Sequence, residues 1–206
     1  MNLLPRTRHP VLALRERAHR LADRLLRRPY PDWYASDNQF PSRFRMDRAH
    51  APIVAVASAV LAGRGGAVLD LGCGNGALLR KIHGANPGTV PFGIDIAAAS
   101  VAHAGLLLPA YADHFIAGDI FAADAPWADD RRYALVVLAP TRLLETSAER
   151  GANLRDRVRR HGDTLVVYAN GNSLTRHGDL AGLCRATGLR LLTAGPRGSA
   201  GVAEVG

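Results

Sequence analysis

The sequence predicts an α/β fold: a doubly wound, seven-stranded sheet with helices on both faces, its last strand antiparallel, preceded by an N-terminal helical extension. Three observations carry this. From about residue 63 onward, short apolar runs alternate with stretches long enough to be crossover helices, the pattern of a parallel sheet covered on both sides. Residues 67–79, AVLDLGCGNGALL, place three glycines at every second position directly after the first such run. The last two apolar runs are separated only by GPRGSA, too short for a crossover, so the final strand returns antiparallel.

In chain order, Val11, Leu14, Ala18, Leu21 and Leu25 recur at helical spacing with arginines on the other side, and Pro29 and Pro31 stop that helix. The stretch YPDWYASDNQFPSRF has the composition of a loop or hinge, and a second helix is expected from about Asp47 to Leu61, ended by the glycines of GRGG. The strands expected are AVLDL (67–71), PFGIDI (91–96), HFIA (114–117), ALVVL (134–138), TLVVYA (164–169), LRLLTA (189–194) and GVAEV (201–205). Helices are expected at Ala77–Gly84, Ser100–Leu108, about Ala122–Asp130, Arg142–His161 with a break at Gly151, and Ser173–Thr187. The organisation expected is an extension over 1–46 and one ligand-binding domain over 47–206.

Composition excludes several classes. The 206 residues are 48% hydrophobic, which suits one well-cored domain and not a disordered chain. No apolar run approaches the roughly 20 residues of a membrane span, and the N-terminus lacks a signal-peptide pattern, so a cytoplasmic protein is expected. Two cysteines, Cys73 and Cys184, make neither a disulfide framework nor a zinc site, and the eight histidines show no metal-ligand spacing. The net charge is +8, of which residues 1–50 hold +6 through eleven arginines and five acids. Lys81 is the single lysine, which reads equally well as genome-wide compositional bias and as an electropositive face for nucleic acid or acidic partners.

The glycine stretch falls at the end of the first core strand, where ligands of such sheets bind. Gly72, Gly74 and Gly76 allow a tight bend and a close approach that a Cβ would prevent. Asp95, in GIDI, follows Asp70 by 25 residues and stands where a carboxylate accepts the hydroxyls of a ribose. Asp119, in AGDIF, ends the third strand, where a carboxylate accepts from the exocyclic amine of a purine. Three acidic strand ends point to a nucleoside whose other half is cationic or amine-bearing.

DLGCGNG, GIDI and AGDIF, in this order and spacing, resemble the cofactor-binding motifs of class I S-adenosylmethionine-dependent methyltransferases, whose sheet is Rossmann-like, and the resemblance covers residues 47–206. It implies that Asp70, Gly72 and Gly74 lie against the methionine part of S-adenosyl-L-methionine. It further implies that Asp95 takes the ribose hydroxyls and Ile96 packs on adenine. Asp119 would accept the adenine amino group, the Ile120 amide would meet a ring nitrogen, and Ala139 would line the methyl-donor end. The rival is a dinucleotide, because Gly72, Gly74 and Ala77 also satisfy G-x-G-x-x-G/A. Asp70 argues against it by setting negative charge where a pyrophosphate would lie, and Asp119 has no role there.

The acceptor is read from less. The fourth strand ends in Leu138-Ala139-Pro140, without the Asn/Asp-Pro-Pro-aromatic motif of nucleobase and glutamine N-methyltransferases, and no Pro-Cys pair offers a nucleophile. An O or N atom of a small metabolite or natural product is therefore expected. Tyr30, Trp33, Tyr34 and Arg142 are the candidate substrate-binding residues, with the aromatic stretch as a lid, and His50 and Glu145 are the candidate proton acceptors. An RNA-directed enzyme, or a non-catalytic cofactor-binding partner using the basic N-terminal section, is the second reading, and the leucine-striped first helix offers a route to a homodimer.

Overall fold

The computed structural model describes residues 31–206 other than Asp129 and Asn170, together with Val11, Leu14, Arg15, Arg17, Ala18 and Leu21. Those six N-terminal residues are helical and exposed, while Leu25 and Tyr30 lie outside the described residues. The chain divides into two compact units, Met1–Arg48 and Ala49–Gly206. In the first, a short helix α1 (Trp33–Ser36) precedes the start of α2 (Arg43–Leu61), whose first turn is tied by Arg43 Nε donating to Asp47 Oδ2 at 3.2 Å.

The second unit is built on one seven-stranded sheet in the order β3-β2-β1-β4-β5-β7-β6. The strands are β1 (Gly66–Leu71), β2 (Thr89–Asp95), β3 (Phe115–Ala117), β4 (Leu135–Leu138), β5 (Leu165–Tyr168), β6 (Leu189–Ala194) and β7 (Ala200–Val205). The first five run parallel, and β7 pairs antiparallel with both β5 and β6. Each expected strand is present, shifted by no more than two residues at an end.

Alternation along the strands divides the core. Leu69, Leu71, Val136, Leu138 and Val167 face a layer containing Leu154 and Val158 of α6 (Ala148–His161). Val68, Leu135, Val137 and Val166 face the other layer, with Ile53, Ala57 and Leu61 of α2 and Leu78, Leu79 and Ile82 of α3 (Ala77–Ala85). Helix α4 (Ala98–Leu107) joins β2 to β3 and packs Val101 and Ala104 into this second layer.

Three expected helices differ. Among the described residues of 122–130 the helical turn is a 3-10 one at Ala125–Trp127, because tertiary contacts hold residues 123–126 in place. Tyr133 donates its hydroxyl to the Pro126 carbonyl at 2.5 Å, and Arg157 donates to Ala123 O and to Asp124 Oδ1. The stretch 142–161 is two helices, α5 (Thr141–Leu144) and α6, and the break falls at Glu145–Ser147, not at Gly151. Ser147 starts the second helix as its N-cap, its hydroxyl accepting the Arg150 amide at 3.3 Å, and Gly151 lies buried inside that helix. The stretch 173–187 is likewise α7 (Gly171–His177) and α8 (Leu180–Ala186), divided at Gly178 with φ +81°.

Candidate functional site

Chain order reverses direction across the sheet between β1 and β4, and the carboxyl ends of the strands around this switch point carry the candidate site. After β1 the backbone turns through three left-handed glycines, Gly72 (φ +96°), Gly74 (φ +53°) and Gly76 (φ +72°). The bend is tied to β2: the amides of Gly72 and Cys73 both donate to Ile94 O, at 2.9 and 3.0 Å. A Cβ on Gly72 would meet nothing nearer than Arg142 Nε at 4.0 Å, so this stretch of backbone faces open space. That space is a cleft of about 220 Å³, lined by Gly72, Asp95 and Ile96 after β1 and β2 and by Gly118, Asp119, Ile120 and Phe121 after β3. Arg142, Glu145, Thr146 and Arg150 complete its lining from the β4 side.

The acids differ in their surroundings. Asp95 Oδ2 accepts the Gly74 amide at 2.8 Å and Oδ1 accepts the Ala97 amide at 2.9 Å, so the carboxylate is fixed in place and keeps further lone pairs for a ligand. Asp119 Oδ1 accepts the Phe121 amide at 2.9 Å and Oδ2 accepts Arg150 Nη2 at 2.5 Å. The Phe121 amide first, and then the Arg150 guanidinium, hold its carboxyl below the usual carboxylate range. Asp70 does not line the cleft. It precedes the glycine bend, 1% exposed, and its Oδ1 has no hydrogen-bond partner among the described residues. Burial, and then the charge of Asp95, push its pKa up to about 7.

Burial also raises the Cys73 thiol well above its ordinary value, with Asp70 and Asp95 adding to the rise. The thiolate nucleophile is thereby suppressed, and Cys73 acts as a small filler against Gly93. Ile96 is 78% exposed, a large apolar side chain held out at the cleft. A flat apolar ligand face would cover it.

The structure thus brings Gly72, Asp95, Ile96, Asp119, Ile120, Arg142 and Glu145 to one cleft. Gly74 adjoins it through its bond to Asp95, and Ala139 directly follows β4, half-buried and outside the lining. His50, on α2, is 8% exposed, and its Nδ1 lies 3.0 Å from Nζ of Lys81 on α3, so it is gathered with Lys81 and not with the cleft residues. Trp33 and Tyr34 lie on α1 in the first unit. Phe121, Thr146 and Arg150 also line the cleft but were not expected from the sequence. Arg150 reaches Asp119 across 31 positions, and no local pattern signals such a pair.

No protein-family model matches this chain, and a search of curated protein sequences gives no significant match. Solved structures do share its fold. It is similar to the N-methyltransferase NodS from Bradyrhizobium japonicum WM9, with a TM-score of 0.55 and 16% identity over 79% of this chain and 96% of that one. It is similar to the N,N-8-amino-8-demethyl-D-riboflavin dimethyltransferase RosA from Streptomyces davawensis, with a TM-score of 0.54 and 15% identity over 78% of this chain. An O-methyltransferase family protein from Burkholderia thailandensis gives a TM-score of 0.53 and 17% identity over 77% of this chain. This chain spans little more than half of the last two, 54% and 56% of their lengths. At such identities the likeness is one of architecture: the chain has the class I methyltransferase fold.

Proposed function

We propose that this protein is an S-adenosyl-L-methionine-dependent methyltransferase acting on an oxygen or nitrogen atom of a small molecule. One observation carries the reading. A buried carboxylate with an unpartnered oxygen, Asp70, precedes the three-glycine bend and lies next to a second acid, Asp95. An acid in the cleft lining, Asp95, with a buried acid, Asp70, next to it favours a cation and opposes a pyrophosphate, which supports the sulfonium ligand over a dinucleotide. The exposed Ile96 and the Asp119 carboxylate, both in the cleft lining, suit an adenine face and its amine.

In this reading Asp70 acts through its charge, Gly72 and Gly74 let the backbone approach the methionine portion, and Asp95 accepts from the ribose hydroxyls. Ile96 packs on the base, Asp119 accepts its amine, and Ala139 borders the methyl end. The bound cofactor supplies an electrophilic methyl group. The chain's task is then to align the acceptor, exclude water and remove a proton. Glu145 lines the cleft from the β4 side, its carboxylate accepting from Arg142 Nη1 at 3.3 Å, and we assign it the proton and Arg142 the orientation of the acceptor. Of the two proton acceptors expected from sequence, Glu145 is therefore preferred to His50.

Calorimetry with S-adenosyl-L-methionine, S-adenosyl-L-homocysteine and NAD tests the ligand. One-to-one binding of the first two and none of the third is expected, and the reverse pattern overturns the reading. With an acceptor turned over from a panel of phenols and amines, Glu145→Gln is expected to lower kcat by about 10²-fold or more, the range of general base catalysis. His50→Ala is the comparison, and a loss confined to it would move the proton to the imidazole.

A further inference from the structure

The ion pair between Asp119 and Arg150 lies inside the cleft, on the carboxylate assigned to the adenine amine. Asp119 Oδ1 is committed to the Phe121 amide, so the outer oxygen, Oδ2, is the one a base would meet, and Arg150 Nη2 already donates to it. The guanidinium carbon lies 5.4 Å from the centre of the Phe121 ring, an aromatic face on which the side chain can rest when it leaves the carboxylate. Arg150 projects from the first turn of α6, anchored there by its amide to Ser147 Oγ. Its side chain is 46% exposed and that of Asp119 is 35% exposed, so the pair is a weak and reversible one.

We propose that Arg150 relaxes purine selection: it competes with the exocyclic amine for the second oxygen of Asp119, and so moderates both affinity for adenosyl ligands and discrimination against 6-oxo purines. The proposal rests on the cleft being the S-adenosyl-L-methionine site. A bare carboxylate accepts from a 6-amino group and repels a 6-oxo group. With Arg150 in place, an arriving amine must share or displace the guanidinium, which costs part of the ion pair. A 6-oxo group instead finds N–H donors beside the carboxylate. The residue thus weakens the matching base and softens rejection of the mismatched one.

The test measures binding of S-adenosyl-L-homocysteine and S-inosyl-L-homocysteine to the full chain and to Arg150→Met, Arg150→Lys, Asp119→Asn and the Arg150→Met/Asp119→Asn double variant. Circular dichroism melts establish that each variant is folded. Arg150→Met is expected to bind the adenosyl ligand about 2- to 5-fold more tightly, the range that exposed ion-pair couplings give. It should bind the inosyl ligand more weakly, and Arg150→Lys, with a charge but no planar fork, should fall between. In the Asp119→Asn background, removing Arg150 should no longer tighten the adenosyl ligand, because no ion pair is left to displace, and should still weaken the inosyl ligand, which loses the guanidinium donors. Unchanged or weaker adenosyl binding by Arg150→Met, or equal shifts for both ligands, overturns the proposal while the functional reading stands on wild-type binding. Wild-type protein that binds neither ligand removes the functional reading and this proposal together.

Discussion

Asp70 and Asp95 sit beside one another yet differ in exposure, Asp70 buried and Asp95 in the cleft lining. Asp95 accepts two backbone amides and keeps lone pairs free, so Asp95→Asn is expected to weaken S-adenosyl-L-homocysteine binding by about 10- to 100-fold, the worth of a hydrogen bond to a charged group. Asp70 is raised to about 7 by burial and by its neighbour's charge. Its folded pKa therefore lies above its unfolded value, and between about pH 4 and pH 7 the folded chain holds a proton that the unfolded chain has lost. Stability contributed by Asp70 is present below that window and falls as pH rises through it, with a slope of at most about 1.4 kcal/mol per unit. Thermal melts should show this slope in the ligand-free protein and its loss in Asp70→Asn. Under the proposed function ligand affinity should run the other way: an ionised Asp70 would attract the sulfonium, so S-adenosyl-L-methionine should gain more than S-adenosyl-L-homocysteine as pH passes 7. Calorimetry at pH 6 and pH 8 would detect equal gains and refute that.

Among the elements, the glycine bend is the most demanding. A Cβ on Gly76 would lie 3.1 Å from Ala104 Cβ of α4, at a φ of +72° that other residues adopt at a cost. Gly76→Ala is expected to destabilise the protein by about 1–3 kcal/mol, read from urea unfolding. Ser147→Ala removes the N-cap of α6 and should cost about 0.5–2 kcal/mol. The sequence made this scale largely legible where local chemistry decided it. Apolar runs, the glycine triplet and the acids at strand ends are all short-range signals, and the strands and cleft acids fall where those signals put them. The loop at 122–130 was illegible because Tyr133 and Arg157 hold it from a distance. The break before α6 was misplaced for a simpler reason. A serine cap starts a helix more firmly than an interior glycine breaks one, and Gly151 has room for its neighbours. Arg150 and Thr146 were missed because a cleft lining assembled by folding leaves no spacing to read.

At the scale of the whole molecule, the site is a product of sheet order. Asp95 and Asp119 come within one cleft because β2 and β3 lie to one side of β1, while Arg142, Glu145 and Arg150 arrive from the β4 side. Ligand binding should therefore couple to the stability of the entire parallel sheet. At 100 times its dissociation constant, S-adenosyl-L-homocysteine is expected to add about 2.7 kcal/mol, seen as a rise in Tm that NAD does not produce. No helix among the described residues is long and apolar enough to cross a membrane.

The seating of β7 between β5 and β6 has a consequence for biosynthesis. Strand β6 reaches the rest of the sheet only through β7, although β7 is made after it. A nascent chain halted before Ala200 would hold β6 without a dock and would leave the edge of β5 unsatisfied, a template for aggregation and a target for chaperones. Pairing of residues 200–205 with both neighbours is what closes the two gaps at once.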